Sequence, residues 1–172
     1  STLSASYGIY GPAYELMEHR PIRPGAEEYL DSEKYQIRDW DLDRADSLAP
    51  LITQVNRARR EHPALQRNHN LHFHDVDNEM ILCYSKRHGP DVVLIIVNLD
   101  PHHTQSGWTS LDLDALGLDG VGQFQMHDLL TERRYVWGGS RNFVRLDVEG
   151  VPAHVFHVRS PSRSERDFDY FN

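Results

Sequence analysis

The stretch DVVLIIVNL, residues 91–99, decides how the second half of this 172-residue chain folds. Its aliphatic run, residues 92–97, follows a His-Gly-Pro turn signal and is rich in β-branched residues, a combination typical of a strand. The run is far too short to cross a membrane as a helix, which requires about 20 apolar residues. The stretch therefore predicts the central strand of a sheet.

Short strand-like runs separated by turn signals lie on both sides of this stretch. In several of them apolar and polar residues alternate, as in a half-solvated antiparallel sheet. Together with residues 91–99 they predict an all-β C-terminal domain, an antiparallel β-sandwich over residues 69–160. The other runs are residues 71–76, 79–87, 108–113, 123–130, 135–137, 143–148 and 153–159. The Ser- and charge-rich residues 161–172 predict a flexible tail.

Residues 1–68 are predicted to form one strand, a long loop and one helix. The strand is expected at residues 3–10, and apolar residues recur at helical spacing over residues 47–61, where Asp46 or Ser47 can cap the first turn. The apolar face of the helix consists of Leu48, Leu51, Ile52, Val55 and Ala58. His62-Pro63 is expected to end the helix. A βα unit of this kind cannot bury its own apolar faces, so we expect its neighbouring strands to come from elsewhere.

Charge and composition exclude several classes of function. The chain carries 18 Lys and Arg against 26 Asp and Glu, a net charge of −8, which argues against a nucleic-acid or anionic-membrane partner. Cys83 is the only cysteine, so no intrachain disulfide can form, and a reducing, cytoplasmic location is expected. The chain does not begin with Met and its first residues do not resemble a signal peptide, so we expect a piece of a longer protein.

Candidate reactive residues are few, and each has a simpler explanation. His72 and His74 have the spacing of two ligands on one face of a strand, which could hold a metal ion. The alternative is that both face solvent while Leu71 and Phe73 point the other way. Cys83 lies within a predicted strand, where a buried and inert thiol is expected. No nucleophile-elbow or phosphate-loop motif occurs, so we predict neither acyl nor nucleotide chemistry, and neither a cofactor nor a metal.

The long loop is the strongest candidate for function. Tyrosines concentrate in the first 35 residues, mixed with carboxylates and basic groups. Flat rings that carry a hydroxyl suit sugars, which offer both C–H faces and hydroxyls. Lys34 could meet a phosphate as a point charge. The alternative, from composition alone, is a solvated loop whose tyrosines cover the sheet.

Four motifs resemble segments of glycoside hydrolase family 13 enzymes. YGIYGPAYEL (residues 7–16) resembles the eighth barrel strand and the loop after it, and NRARREHPALQ (residues 56–66) resembles the last barrel helix. EEYLDSEKY (residues 27–35) is similar to the α-1,4-glucan:maltose-1-phosphate maltosyltransferase subfamily, and LHFHDVDN (residues 71–78) to the opening of its C-terminal β-sandwich. The resemblance extends over nearly the whole chain, to about Arg159.

The resemblance implies a fold and a reaction. The fold class would be α/β plus all-β, with residues 1–68 as the last βα unit of a (β/α)8 barrel and residues 69–160 as the sandwich. The reaction would be a retaining double displacement that transfers maltose from α-maltose 1-phosphate to the non-reducing end of an α-1,4-glucan, in glycogen or α-glucan biosynthesis.

The resemblance also implies which residues take part. The family's three catalytic carboxylates follow earlier barrel strands, so this chain would contain none of them and be inactive alone. Lys34 and Tyr35 match the subfamily's Lys-Tyr pair, which contacts maltose 1-phosphate, and Glu33, Tyr10 and Tyr29 would shape the pocket. The implied partners are maltose 1-phosphate, the α-1,4-glucan and the upstream part of the same enzyme, with a homodimer left open. The alternatives are a stand-alone carbohydrate-binding β-sandwich module and the C-terminal part of another amylase-family enzyme.

Overall fold

The computed structural model describes residues 1–32 and 37–160, so the predicted tail, residues 161–172, lies outside the described residues. Two helices come first, α1 at Gly11–Glu15 and α2 at Ala49–Glu61, and a 3₁₀ turn follows at Pro63–Gln66. The strands are β1 Leu71–Val76, β2 Ile81–His88, β3 Asp91–Asn98, β4 Gln105–Ser110, β5 Gln123–Asp128, β6 Arg134–Gly138, β7 Arg141–Leu146 and β8 Ala153–Arg159.

The eight strands form one antiparallel sheet in the order β6-β5-β8-β3-β2-β1-β4-β7. Each strand overlaps a run predicted from the sequence, and the antiparallel pairing is confirmed. Strand β1 pairs with β2 through residues 71–74 and with β4 through residues 75–76, so it carries the sheet around the core. The end strands β6 and β7 also come into contact, which nearly closes the sheet. The predicted sandwich is thus one curled sheet instead of two separate layers.

Strand β3 lies near the centre of the sheet and is covered on both faces. Leu94 and Ile96 face the main core, inside the curled sheet. Val93 and Ile95 pack on the opposite face, in a second cluster with Leu65 of the 3₁₀ turn. Because neither face meets solvent, the strand is apolar at successive positions, which explains the unbroken run in the sequence.

The predicted opening strand, residues 3–10, does not form. A strand is stable only beside hydrogen-bonding neighbours, and among the described residues no strand pairs with this segment. Its carbonyls accept hydrogen bonds from the Arg59 guanidinium instead, at Ser4 (3.0 Å) and Ala5 (2.7 Å). The buried Lys86 donates from Nζ to the Leu3 carbonyl at 3.1 Å. These contacts fix the segment against α2 and β2.

Helix α2 ends where the sequence predicted and begins two residues later than predicted. It begins at Ala49, and its N-cap residue is Leu48, which makes no side-chain cap hydrogen bond, so neither Asp46 nor Ser47 is the cap; the Ala49 N–H nevertheless donates to the Ser47 hydroxyl at 3.1 Å. It ends where His62 adopts an extended backbone before Pro63. Its apolar face is half-buried except at Ala58, which is fully buried. The helix therefore keeps apolar surface that residues 1–32 and 37–160 do not cover.

The two histidines of β1 do not form a metal site. His74 is buried and uses both ring nitrogens, with Nε2 at 2.8 Å from Ser85 Oγ and Nδ1 accepting the Asp112 N–H at 3.1 Å. His72 lies on the surface, with Nε2 at 3.2 Å from the Asp112 carboxylate. The expectation that both histidines face solvent is also wrong, because Phe73 is 58% exposed and His74 faces inward. A fully hydrogen-bonded imidazole can be buried at little cost, so it occupies the inner face here.

Candidate functional site

In the loop that joins the opening segment to α2, the first part is anchored at the start of that helix. After α1 the chain reverses at Met17, which has a φ of 55°, and both Ala13 and Leu16 are buried. The Glu15 carbonyl accepts a hydrogen bond from the Leu48 N–H at 2.8 Å. The candidate sugar-binding loop therefore starts from a fixed base.

A short hairpin within the loop brings Tyr29 next to Tyr10. Tyr29 pairs with Pro21 in an isolated β-bridge, and the Ile22 N–H donates to the Glu28 carbonyl at 2.8 Å. The Tyr10 and Tyr29 rings lie 5.7 Å apart between centroids and are tilted by 45°. Tyr10 is 54% exposed, so the ring remains available to a ligand. Two of the residues expected to shape the sugar pocket are thus neighbours in space.

Arg38 closes the loop on its other side. Its guanidinium donates to Glu18 Oε2 at 3.1 Å and to the Leu30 carbonyl at 3.4 Å, and it lies 4.0 Å from the centroid of the Trp40 ring. The hydrogen bonds that Glu18 accepts from the Arg20 N–H and from Arg38 lower the pKa of its carboxyl. Glu18 therefore stays ionised and keeps Arg38 in place.

Lys34 and Tyr35, the two predicted substrate contacts, lie outside the described residues, as does Glu33. The hydrogen bond from Arg38 to the Leu30 carbonyl joins the described residues on either side of this gap. Their contact with a substrate stays a prediction.

A second cluster, formed by His62, Asp91 and His157, has the composition of a metal centre. One ligand atom from each residue lies within 4.8 Å of the others. However, Asp91 already accepts hydrogen bonds at both oxygens, from His62 Nδ1 at 2.7 Å and from the Ala64 N–H at 2.8 Å. Although burial alone would raise it, the hydrogen bond from His62 lowers the pKa of Asp91. These hydrogen bonds are best explained as a structural contact that joins the end of α2 to the start of β3, and not as a metal site.

An exposed aromatic pair on the sheet was not singled out from the sequence. Trp108 of β4 and Phe143 of β7 are paired across the two strands, with ring centroids 5.4 Å apart. The sequence does contain a signal for this pair, because exposed and buried residues alternate along β4 and β7 and both aromatic residues occupy exposed positions. An outward Trp is unusual enough to mark a candidate binding surface.

The comparison with protein families identifies the second half of the chain. The model of the family described as "GLGE, C-terminal" matches residues 73–158, which is half of the chain. The chain belongs to this family. The GLGE C-terminal match covers most of the curled sheet, from β1 to β8.

Curated relatives match the GLGE C-terminal chain over nearly its whole length. An α-1,4-glucan:maltose-1-phosphate maltosyltransferase of Streptomyces coelicolor is 54% identical over 94% of the chain. The enzyme of the same name from Mycobacterium tuberculosis is 42% identical over 92% of it. The chain spans only about a quarter of these relatives' own length, 24% and 23% respectively.

Solved structures of amylases share the fold at low sequence identity. AmyP in complex with maltose gives a TM-score of 0.54 with 18% identity, covering 81% of this chain and 26% of that one. An Anoxybacillus α-amylase gives a TM-score of 0.52 with 16% identity, covering 74% of this chain and 25% of that one.

Within the described ranges, no helix has the length and apolar character needed to cross a bilayer.

Proposed function

We propose that this chain is the C-terminal part of a retaining maltosyltransferase, which moves maltose from α-maltose 1-phosphate to the non-reducing end of an α-1,4-glucan. The observation that carries the proposal is the 54% identity over 94% of the chain to the Streptomyces coelicolor enzyme of that name. An amylase activity is less well supported, because the solved amylases are only 16–18% identical to this chain. The proposed donor is a sugar phosphate, which suits the expected cytoplasmic location.

In this proposal, residues 1–68 are the last βα unit of a (β/α)8 barrel completed by the upstream part of the protein. The half-buried face of α2 supports it. A cavity of about 310 Å³ separates this face, at Leu51 and Ile52, from Tyr7 and Ile9 of the opening segment. Neighbouring strands and helices of a barrel would cover the apolar face and supply the pairing partners that a strand at residues 3–10 requires.

The chemistry proposed for the complete protein needs three carboxylates from the upstream part, as the family resemblance implies. An Asp attacks the anomeric carbon while a Glu protonates the departing phosphate and a second Asp stabilises the transition state, so that a covalent maltosyl intermediate forms. The 4-hydroxyl of the glucan then attacks this intermediate and releases the Asp, with the same Glu, now ionised, accepting the hydroxyl proton. Lys34 would neutralise the departing phosphate, and Tyr35 would offer its hydroxyl and ring to the sugar. Tyr10 and Tyr29 would form a wall of the same pocket.

The experiment that tests this assignment is Lys34→Ala in the complete protein. The KM for maltose 1-phosphate is expected to rise about tenfold or more, while the KM for the glucan acceptor changes little, because a phosphate contact acts on the donor alone. Arg23→Ala is the matched control, since it removes an exposed positive charge from the same loop. Equal effects of Lys34→Ala on donor and acceptor would reject the role of Lys34.

The oligomeric state stays a prediction. A homodimer of the complete protein would appear in a native mass measurement as twice the mass of one chain.

A further inference from the structure

The outward face of β4 and β7 carries a strip with aromatic rings in the middle and polar groups at both ends. Trp108 is 43% and Phe143 is 53% exposed. Their neighbours on the same face are two directly opposed Ser-Arg pairs, Ser106 with Arg145 and Ser110 with Arg141. The strip covers five residues of β4, which at ~3.4 Å per residue is roughly 14 Å. It is therefore long enough for an oligosaccharide segment.

The backbone of Trp108 is hydrogen-bonded on both sides, although its ring lies on the surface. The Asp77 carboxylate accepts a hydrogen bond from the backbone N–H of Trp108 at 2.6 Å, and the Asp77 N–H donates to the backbone carbonyl of Trp108 at 3.2 Å. Gly107 permits this close approach, since a Cβ there would come within 2.9 Å of Asp77 Oδ1. The ring itself packs edge-on against Phe143 and lies beside the Arg141 guanidinium, so it has less side-chain freedom to lose when a ligand stacks on it.

The arginines beside the rings are exposed, and each lies near a carboxylate that balances its charge. Arg141 is 66% exposed, lies 3.7 Å from the Asp77 carboxylate and has its Cζ 5.4 Å from the Trp108 ring centroid. Arg145 lies 3.5 Å from Asp147. Both therefore retain N–H donors for a ligand, while the strip as a whole is electrically balanced. Such a surface favours an uncharged ligand that has apolar faces and many hydroxyls.

We infer that this strip is a glucan-binding surface, separate from the loop that carries Lys34, on which a sugar ring stacks against Trp108 while Phe143, inclined at 61° to it, contacts the sugar beside it. The serines and arginines at its ends bond the hydroxyls of neighbouring sugars. That the sugar is an α-1,4-glucan rests on the proposed function, in which such a chain is the acceptor. Binding it here would keep a long acceptor attached between transfers.

Other occupants fit the strip less well. The two rings expose roughly 200 Å², well below the ~800 Å² per partner of a stable protein interface. Nucleic acid is disfavoured because the chain has a net charge of −8 and both arginines face carboxylates. Strand β7 is four positions from β3 in the nearly closed sheet, so the strip lies on the opposite side from α2. An upstream part that covers α2 would leave the strip accessible.

The test is retention in native gels that contain glycogen, without maltose 1-phosphate, for the 172-residue chain and for the complete protein. Trp108→Ala and Phe143→Ala are each expected to weaken retention of the chain about tenfold, the effect of losing one stacked ring. The matched control is Phe73→Ala, which removes an equally exposed ring from β1. Trp108→Tyr should retain most of the binding, because it keeps an aromatic face.

Several outcomes would overturn the inference. They are no retention of either wild-type protein, equal retention of wild type and both alanine variants, or equal loss with Phe73→Ala. A change in native mass caused by Trp108→Ala, without a change in retention, would assign the strip to contacts between copies. The retention assay does not depend on maltosyl transfer. If the complete protein has no transferase activity but is retained through Trp108, the proposed function is refuted, whereas the glucan-binding strip is supported.

Discussion

At the scale of single residues, His74 shows how the fold controls a titratable group. Its ring is buried between β1 and its neighbours, with one nitrogen accepting the Asp112 N–H and the other donating to the Ser85 hydroxyl. This arrangement requires the neutral ring. Burial, together with the nearby His72, lowers the pKa of His74 to about 4, and burial likewise lowers that of His157 to about 4.

These shifts predict how stability depends on pH. In the unfolded chain both histidines bind a proton near pH 6.5, whereas in the folded protein they stay neutral until about pH 4. The contribution of these two neutral histidines to the free energy of unfolding is therefore fully present above pH 6.5 and is lost as the pH drops towards 4. His74→Gln should reduce the loss between pH 7 and pH 4.5 by about 2 kcal/mol, as measured by urea unfolding. The exposed His102→Gln should leave the loss unchanged, and an equal reduction in both variants would contradict the explanation.

Cys83 provides a second residue-scale prediction. The thiol is buried, and burial raises its pKa to about 12, so almost no thiolate is present at neutral pH. The native protein at pH 8 should react with a thiol reagent only as fast as it unfolds, and the rate should rise steeply in urea. Rapid labelling without denaturant would show that the strand around Cys83 is open.

At the scale of elements, the arm formed by residues 1–7 depends on one arginine of α2. Arg59 donates to the carbonyls of Ser4 and Ala5, and its guanidinium lies 4.7 Å from the ring centroid of Tyr7. Because these contacts use the planar fork of the guanidinium, lysine cannot reproduce them.

Arg59→Ala is therefore expected to release this arm. Amide exchange at residues 3–7 should become faster by at least about tenfold, since several charge-assisted hydrogen bonds are lost. Arg59→Lys should rescue it only in part, whereas Arg60→Ala, on the exposed side of the helix, should have no effect. Unchanged exchange in Arg59→Ala would mean that Thr2, Leu3 and their partners on β2 hold the arm without it.

The elements also show what sequence patterns can and cannot predict. Helix α2 and the strands of the sheet were predictable, because their apolar spacing and turn signals act locally. The prediction of a strand at residues 3–10 was wrong because pairing depends on neighbouring strands, and none of the described residues supplies one. The prediction that His74 faces solvent was wrong for another reason. Its inward position depends on hydrogen bonds to Ser85 and Asp112, which are distant in sequence. In the loop, the meeting of Tyr10 and Tyr29 likewise required the hairpin between them.

At the scale of the whole molecule, the chain contains a well-packed sheet and a less complete N-terminal part. The sheet has its own core, with Leu94, Ile96, Met126 and Phe156 essentially excluded from solvent. The face of α2 around Leu51 is only half-buried. If the upstream part covers this face, the same substitution should have different effects in the chain and in the complete protein.

Leu51→Ala tests this difference. In the chain alone it should lower the free energy of unfolding by about 1 kcal/mol, because the side chain is already partly in water. In the complete protein the loss should reach about 2–4 kcal/mol, as for a fully buried leucine. Gln54→Ala, on the exposed side of α2, is the control. Equal and small losses in both proteins would indicate that nothing covers this face.

The most direct test of the account is phosphate release from α-maltose 1-phosphate in the presence of an α-1,4-glucan. We expect the complete protein to release phosphate and lengthen the glucan by maltose units, and the 172-residue chain alone to do neither. A complete protein that hydrolyses α-glucans but leaves maltose 1-phosphate intact, or a chain that releases phosphate by itself, would contradict the account.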